Sequence, residues 1–180
     1  AASAVALNCS PPPPQAAGGI VYTRAPEGSP LSKAPAVITL ETNCGPIEIT
    51  TLPDKAPKTV ASEVFLANSG FYDNTACHRV TTSGLFVLQC GDPKGDGTGG
   101  PGYTVPDENL PTADGVNYPA GTVAMANAGP GTSGSQFFIV YRDTTLPPGY
   151  SIWGTVTKGL DLVTAIAAKG ATGGGGDGAP

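Results

Sequence analysis

Arg79, Gln89, Gln136 and the phenylalanines Phe86 and Phe138 are the residues through which this chain could do chemistry. They lie on two short stretches, Cys77 to Asp92 and Met125 to Ile139, and supply one fixed cation, two amides and aromatic rings. A guanidinium keeps its charge at any relevant pH and presents a planar fork of donors. Neither stretch holds a metal-ligand cluster, an activated nucleophile or a phosphate-binding loop, and His78 is the single histidine of the chain. The inventory suits holding an uncharged polypeptide backbone, not cutting a bond. In strand alternation Gln136 and Phe138 share one face, while Phe137 and Ile139 take the other. Phe138 therefore reads as a pocket wall and Phe137 as core. The bland alternatives are a surface-paired arginine and ordinary core phenylalanines. Against them, an amide such as Gln136 is costly to bury beside Phe138 unless it is hydrogen-bonded, which favours a built polar–apolar site. The small, turn-rich run Ala126 to Gly131 can offer backbone groups to an extended ligand.

These residues need a β framework. The runs 37–42 and 46–52 alternate apolar and polar residues and join through Asn43-Cys44-Gly45, a hairpin signal. A helix is expected over 57–70, opened by Pro57, faced by Val60, Ala61, Val64 and Phe65, and closed by Gly70. Strands are expected at 77–81, 86–89, 121–126, 136–141 and 151–156, with a Gly-rich loop at 91–102 and a last helix near 160–169. The fold class implied is mostly β, a closed eight-stranded antiparallel β-barrel capped by two α-helices. The body should span 36–169. Residues 1–35, with Pro11 to Pro14, Pro26, Pro30, Pro35, Gly18, Gly19 and Gly28, read as a polyproline-type tether. Residues 170–180, with Gly173 to Gly176, read as a flexible tail.

At 180 residues the chain fits one domain. Its net charge is −5, and nine scattered cations make no phosphate-tracking stripe, so nucleic acid is not an expected partner. No apolar run reaches membrane-spanning length. The chain opens Ala-Ala-Ser-Ala without a charged region before an apolar one, and reads as a mature or truncated piece. The four cysteines, Cys9, Cys44, Cys77 and Cys90, lack the short paired spacings of a zinc site. Disulfides in an oxidising compartment fit better, with buried free thiols as the alternative. Four cysteines allow three full pairings. Alternation puts Cys77 on the face of Arg79 and Cys90 opposite Gln89, so a Cys77–Cys90 rung would need a bulge, and Cys44 is another partner for either.

The stretches His78-Arg-Val…Phe86-Val-Leu-Gln-Cys-Gly-Asp92 and Met125-Ala-Asn-Ala-Gly-Pro-Gly-Thr-Ser-Gly-Ser-Gln-Phe-Phe-Ile139 resemble the paired signatures of the cyclophilins, the prolyl cis–trans isomerases. The resemblance spans about 37–169. It implies catalysis by Arg79 with Phe86 and Gln89, and a proline pocket of Phe86, Val87, Phe138 and Leu146. It further implies peptide-backbone contacts at Gln89, Ala126, Asn127 and Gln136, and a secondary pocket near Gly97, Ala128 and Thr132. Proline-containing polypeptides would be the partners of a monomer that uses no cofactor and no metal. The chemistry is plausible for such residues. A prolyl bond rotates over a barrier of roughly 18–20 kcal/mol set by C–N conjugation. A cation aimed at the pyramidalising nitrogen, with an apolar pocket for the ring, lowers it without a covalent step.

Several positions depart from the family pattern. Cys77 replaces the phenylalanine before His-Arg, Cys90 replaces a glycine, and two extra residues lie between Arg79 and Phe86. Thr145 stands where eukaryotic members carry the tryptophan that grips cyclosporin, Tyr150 replaces the pocket histidine, and Trp153 occupies a core strand position. Cyclosporin-type ligands should therefore bind with reduced affinity. The pattern is similar to exported bacterial cyclophilins, which implies an extracytoplasmic site, secreted or anchored by an upstream segment. Acylation at Cys9 is disfavoured because Asn8 replaces the small residue a lipobox needs. The competing reading is a non-catalytic proline-peptide-binding module or chaperone on the same fold. Such a module would be expected to lose the cation first, and Arg79 is present. A zinc hydrolase fails for want of ligands and a base.

Overall fold

Alternation along the first two apolar runs builds the β1 (Val37–Thr42) and β2 (Gly45–Thr51) hairpin, closed at the Thr42↔Gly45 pair. This is a computed structural model, and it describes residues 5–16, 20–26 and 34–180. α1 (Pro57–Asn68) starts on proline at its first turn, and Gly70 follows it at φ +76°, in the left-handed region. Its buried residues are Thr59, Val60, Ala61, Ser62, Glu63 and Leu66. Val64 and Phe65, expected on the buried face, are half-buried, and Phe65 instead packs edge-on against Tyr22 at 5.0 Å.

Six further strands and a helix follow: β3 (Arg79–Thr81), β4 (Val87–Cys90), β5 (Thr122–Met125), β6 (Phe137–Val140), β7 (Ile152–Lys158), α2 (Leu160–Ala167) and β8 (Asp177–Gly178). The eight strands pair antiparallel in the order β1-β2-β7-β5-β6-β4-β3-β8. The sheet curls strongly into a half-barrel with two helices, β1 and β8 being its end strands. Ile47, Ile49, Val80, Leu88, Val123, Ile139 and Val163 fill the concave interior. Trp153 is fully buried there, edge-on to Phe137 at 5.8 Å, which is the core position its strand alternation implies.

Both terminal segments depart from their sequence reading. The supposed flexible tail turns back and supplies β8, pairing Gly178 with Val80 and Asp177 with Thr81. The Thr82 N–H donates to the Gly176 carbonyl, and a side chain at Gly176 would meet Ser83 at 2.9 Å. Glycine is what permits this close approach, and the pairing satisfies the otherwise open edge of β3. At the other end, Cys9 is bonded to Cys44, and the Gln15 side chain donates to the Pro93 carbonyl and accepts from the Ala76 N–H. The Tyr22 N–H donates to the Pro101 carbonyl. These parts of the supposed tether lie against the body, while Gly18, Gly19, Gly28 and Pro30 lie outside the described residues.

The second disulfide joins Cys77 to Cys90. No bulge is needed, because β3 begins at Arg79 and Cys77 precedes it, free of strand alternation. Titration of denatured, unreduced protein should find no free thiol. Reduction should lower stability by about 3–4 kcal/mol per bridge, read as the shift in denaturant midpoint.

Candidate functional site

Strand register assembles the polar row. Arg79 on β3 pairs with Gln89 on β4, Gln89 pairs with Phe138 on β6, and Phe138 pairs with Ala124 on β5. Directly paired residues share a sheet face, so a cation, an amide and a ring stand side by side. They open on a cavity of about 210 Å³ whose apolar wall is Leu85, Val87, Phe138 and Leu146, with Tyr150 at the rim. Arg79, Gln89, Ala126 and Asn127 complete it.

Phe86 is the correction. Counting by twos from Gln89 through Val87 arrives at Leu85, and Phe86 takes the opposite face. Its ring lies under the Arg142 guanidinium at 4.4 Å and edge-on to Tyr141 at 6.0 Å. The two extra residues of the 81–84 turn let Leu85 fill the wall, so Phe86 forms no part of the pocket lining.

A relay of hydrogen bonds crosses the site. Arg79 Nη1 donates to Gln89 Oε1 at 3.2 Å, and Gln89 Nε2 donates to Gln136 Oε1 at 2.9 Å. Gln136 Nε2 then donates to the Gly97 and Gly99 carbonyls, both at 2.9 Å. The direction is forced: arginine has donors only, so Gln89 must turn its oxygen to Arg79 and its nitrogen onward. The half-buried amides are thereby satisfied, as a built site requires.

Beyond Gln89 lies a second cleft of about 390 Å³, bounded by the 97–104 loop, Ala128, Thr132 and Gln136. Ala126 and Asn127 line both cavities. The loop is folded by Asp92, fully buried, whose carboxylate accepts from the Lys94 and Gly97 N–H groups; Gly97 sits at φ +89°. Thr132 Oγ1 accepts from the Ala128 N–H and donates to the Gly129 carbonyl. Asn127 spends its side chain on the Gly149 carbonyl and the Gly129 N–H, so a ligand meets its backbone.

Residues not singled out in the sequence set the rim. Asn117 clamps Leu146 by accepting from its N–H at 3.0 Å and donating to its carbonyl at 2.7 Å. The Tyr118 hydroxyl donates to the Tyr150 carbonyl and accepts from the Tyr150 N–H, and burial pushes that phenol up to about 12. Tyr150 itself packs edge-on against Phe138 at 5.5 Å. Arg79 is further held by Asp177 of β8, which raises the guanidinium above its ordinary value through hydrogen bonds. Burial pushes His78 below its ordinary value.

The chain is similar to known proteins. The profile of the cyclophilin type peptidyl-prolyl cis-trans isomerase family covers residues 37–178. The chain belongs to that family. It is 47% identical over 185 residues to a probable peptidyl-prolyl cis-trans isomerase B of Mycobacterium tuberculosis, covering 96% of this chain and 60% of the relative. A Mycobacterium leprae protein described in the same words is 44% identical, covering 97% of this chain and 63% of its own length. The chain thus spans about 60% of the length of these mycobacterial relatives. A crystal structure of a Cryptosporidium parvum cyclophilin type isomerase, determined in the presence of the dipeptide Ala-Pro, superposes with TM-score 0.68 at 30% identity, covering 77% of this chain and 89% of that one.

Proposed function

We propose that this chain catalyses cis–trans isomerisation about X-Pro bonds of exported polypeptides, acting as a monomer through its 37–178 body. One observation carries the reading: Arg79 stands on the wall of an apolar cavity of Val87, Phe138 and Leu146 with two N–H groups that no partner takes among the described residues. A guanidinium has five N–H donors. Asp177 takes two and Gln89 one. A prolyl ring seated against Phe138 brings its nitrogen beside Arg79, where a remaining N–H meets the lone pair as conjugation is lost. Gln89 and the backbone at Ala126–Asn127 hold the flanking peptide, and the residues before proline run toward the second cleft. The Arg79 contact strengthens as the lone pair localises on nitrogen while the ring and backbone contacts hold the bond in place, and that difference is what lowers a rotational barrier. The two disulfides support an oxidising, extracytoplasmic setting.

A protease-coupled or NMR exchange assay on an Ala-Pro peptide tests the reading. Turnover is expected, flat with pH through neutrality because the step uses no titrating acid or base and the Arg79 guanidinium keeps its charge. Peptide binding without turnover would replace the enzyme by a binding module.

Cyclosporin should inhibit more weakly than it inhibits a cyclophilin bearing the tryptophan. Thr145 is exposed and its hydroxyl donates to the Gly115 carbonyl, so the indole's area and donor are missing at that rim. Such an aromatic anchor carries about 2 kcal/mol or more, on the order of thirtyfold in affinity. Thr145→Trp should tighten inhibition, and nanomolar inhibition of the unaltered protein would contradict the assignment.

A further inference from the structure

Arg79 is gripped by a residue of the chain's last strand. Its Nε donates to Asp177 Oδ1 at 2.8 Å and its Nη2 to Oδ2 at 2.6 Å, a side-on, two-point pair. Asp177 stands directly opposite Thr81 on β3, so Arg79, two residues along, is its diagonal neighbour on the same face. The carboxylate does not depend on Arg79 for its place. Backbone pairing of β8 with β3, the Thr82 N–H to the Gly176 carbonyl and the Thr172 N–H to the Ala179 carbonyl hold the segment. Gly176 is packed too closely on Ser83 for any larger residue.

We propose that Asp177 is the positioning residue for Arg79: delivered by β8, it fixes the plane of the guanidinium so that the two unspent N–H groups point into the proline cavity. The inference rests on the isomerase reading above. Asp177 touches no substrate; it acts through Arg79. Gln89 alone holds one corner of the guanidinium and leaves it free to pivot, whereas the two-point contact along the Nε–Nη2 edge removes that freedom. A misplaced donor wastes its charge at the moment of rotation, because misplacement by about 1 Å can cost on the order of a hundredfold. A purely electrostatic role would have the opposite sign, since a carboxylate damps the cation and its removal should speed turnover. The pair is half-exposed, with side-chain exposures of 39% and 54%, so its weight in folding is small.

The test is a cycle of Asp177→Asn, Arg79→Ala and the double variant, assayed on an Ala-Pro peptide. Asp177→Asn should lower kcat about tenfold with KM within about twofold, and Asp177→Glu should recover part of the loss. The melting temperature should move by no more than about 3 °C. In the Arg79→Ala background Asp177→Asn should change nothing further. As a readout independent of activity, the Arg79 Nε–H resonance should exchange slowly in the unaltered protein and be lost in Asp177→Asn. If the unaltered chain shows no turnover, the isomerase reading fails, and the Nε–H signal still judges the contact. An Asp177→Asn variant as active as the parent or faster, or a loss that persists without Arg79, overturns the proposal.

Discussion

Arg79→Ala lowers turnover on an Ala-Pro peptide by a factor on the order of 10²–10³ and leaves the fold intact. Removing one preorganised donor at a developing charge costs about 2.7–4 kcal/mol of barrier. Stability should barely register the change, because Arg79 is half-exposed and its ion-pair partner is more exposed still. The substitution also unties Gln89, whose oxygen loses its donor and with it the fixed orientation of the relay to Gln136. Arg79→Lys should recover little, since an ammonium cannot hold Asp177 on two edges and aim further donors at the cavity. Phe138→Ala separates binding from chemistry. That ring is 5% exposed, so its loss should weaken peptide binding and cost about 3–5 kcal/mol of stability. Circular dichroism and a chemical melt distinguish the two variants. Full activity in Arg79→Ala would end the catalytic assignment and leave a proline-binding module.

Seven of the eight strands, both helices and most of the polar row are legible in the sequence because each is carried by local alternation or by a helix start and stop. Arg79, Gln89, Gln136, Val87, Phe138, Leu146 and Tyr150 meet where the motifs imply. Leu85 is legible too, by the same period of two that places Val87 and Gln89, although the family motif implies Phe86. Asp177 is not. Its strand has two residues, no apolar alternation and a run of glycines before it, and its partner lies 98 residues away. Only the free edge of β3, a tertiary fact, makes a strand of it. The N-terminal segment misled through its prolines. Cys9, Ser10, Gln15, Ala16 and Tyr22 attach it, and nothing in its composition marks them out. Glu63 was a missed signal of another kind. It stands three residues after Val60 on α1, on the buried stripe, and an acid there calls for an explanation.

Glu63 should make this protein lose stability between about pH 4.5 and pH 8, and Glu63→Gln should abolish that loss. The carboxyl is 1% exposed and Oε1 has no hydrogen-bond partner among the described residues. Its other oxygen lies 2.7 Å from the Tyr72 hydroxyl, which also lies 3.1 Å from the Ser135 carbonyl. A phenol has one proton and cannot donate to both. A protonated Glu63 resolves the geometry: its O–H donates to Tyr72, and Tyr72 donates to Ser135. Burial acts in the same direction, pushing Glu63 from 4.5 up to about 8 against the opposing hydrogen bond from Tyr72, while burial and the nearby Glu63 raise Tyr72 well above the usual phenol range. Tyr103, bonded to Ser62 on the same helix, adds no cation to offset a charge. The sign follows from linkage. With the folded value above the unfolded one, this contribution is whole below about pH 4.5, shrinks by about 1.4 kcal/mol per pH unit above it, and levels off above about pH 8. By pH 7 the loss is on the order of 3 kcal/mol. Glutamine keeps the shape, offers an N–H to Tyr72 and carries no charge, so the variant should be the more stable protein at pH 8 and should lack the decline that Glu63 produces. Urea denaturation midpoints of the two proteins across that range decide it. Parallel pH dependences would mean that Glu63 is ionised in the folded protein and that the proton resides elsewhere.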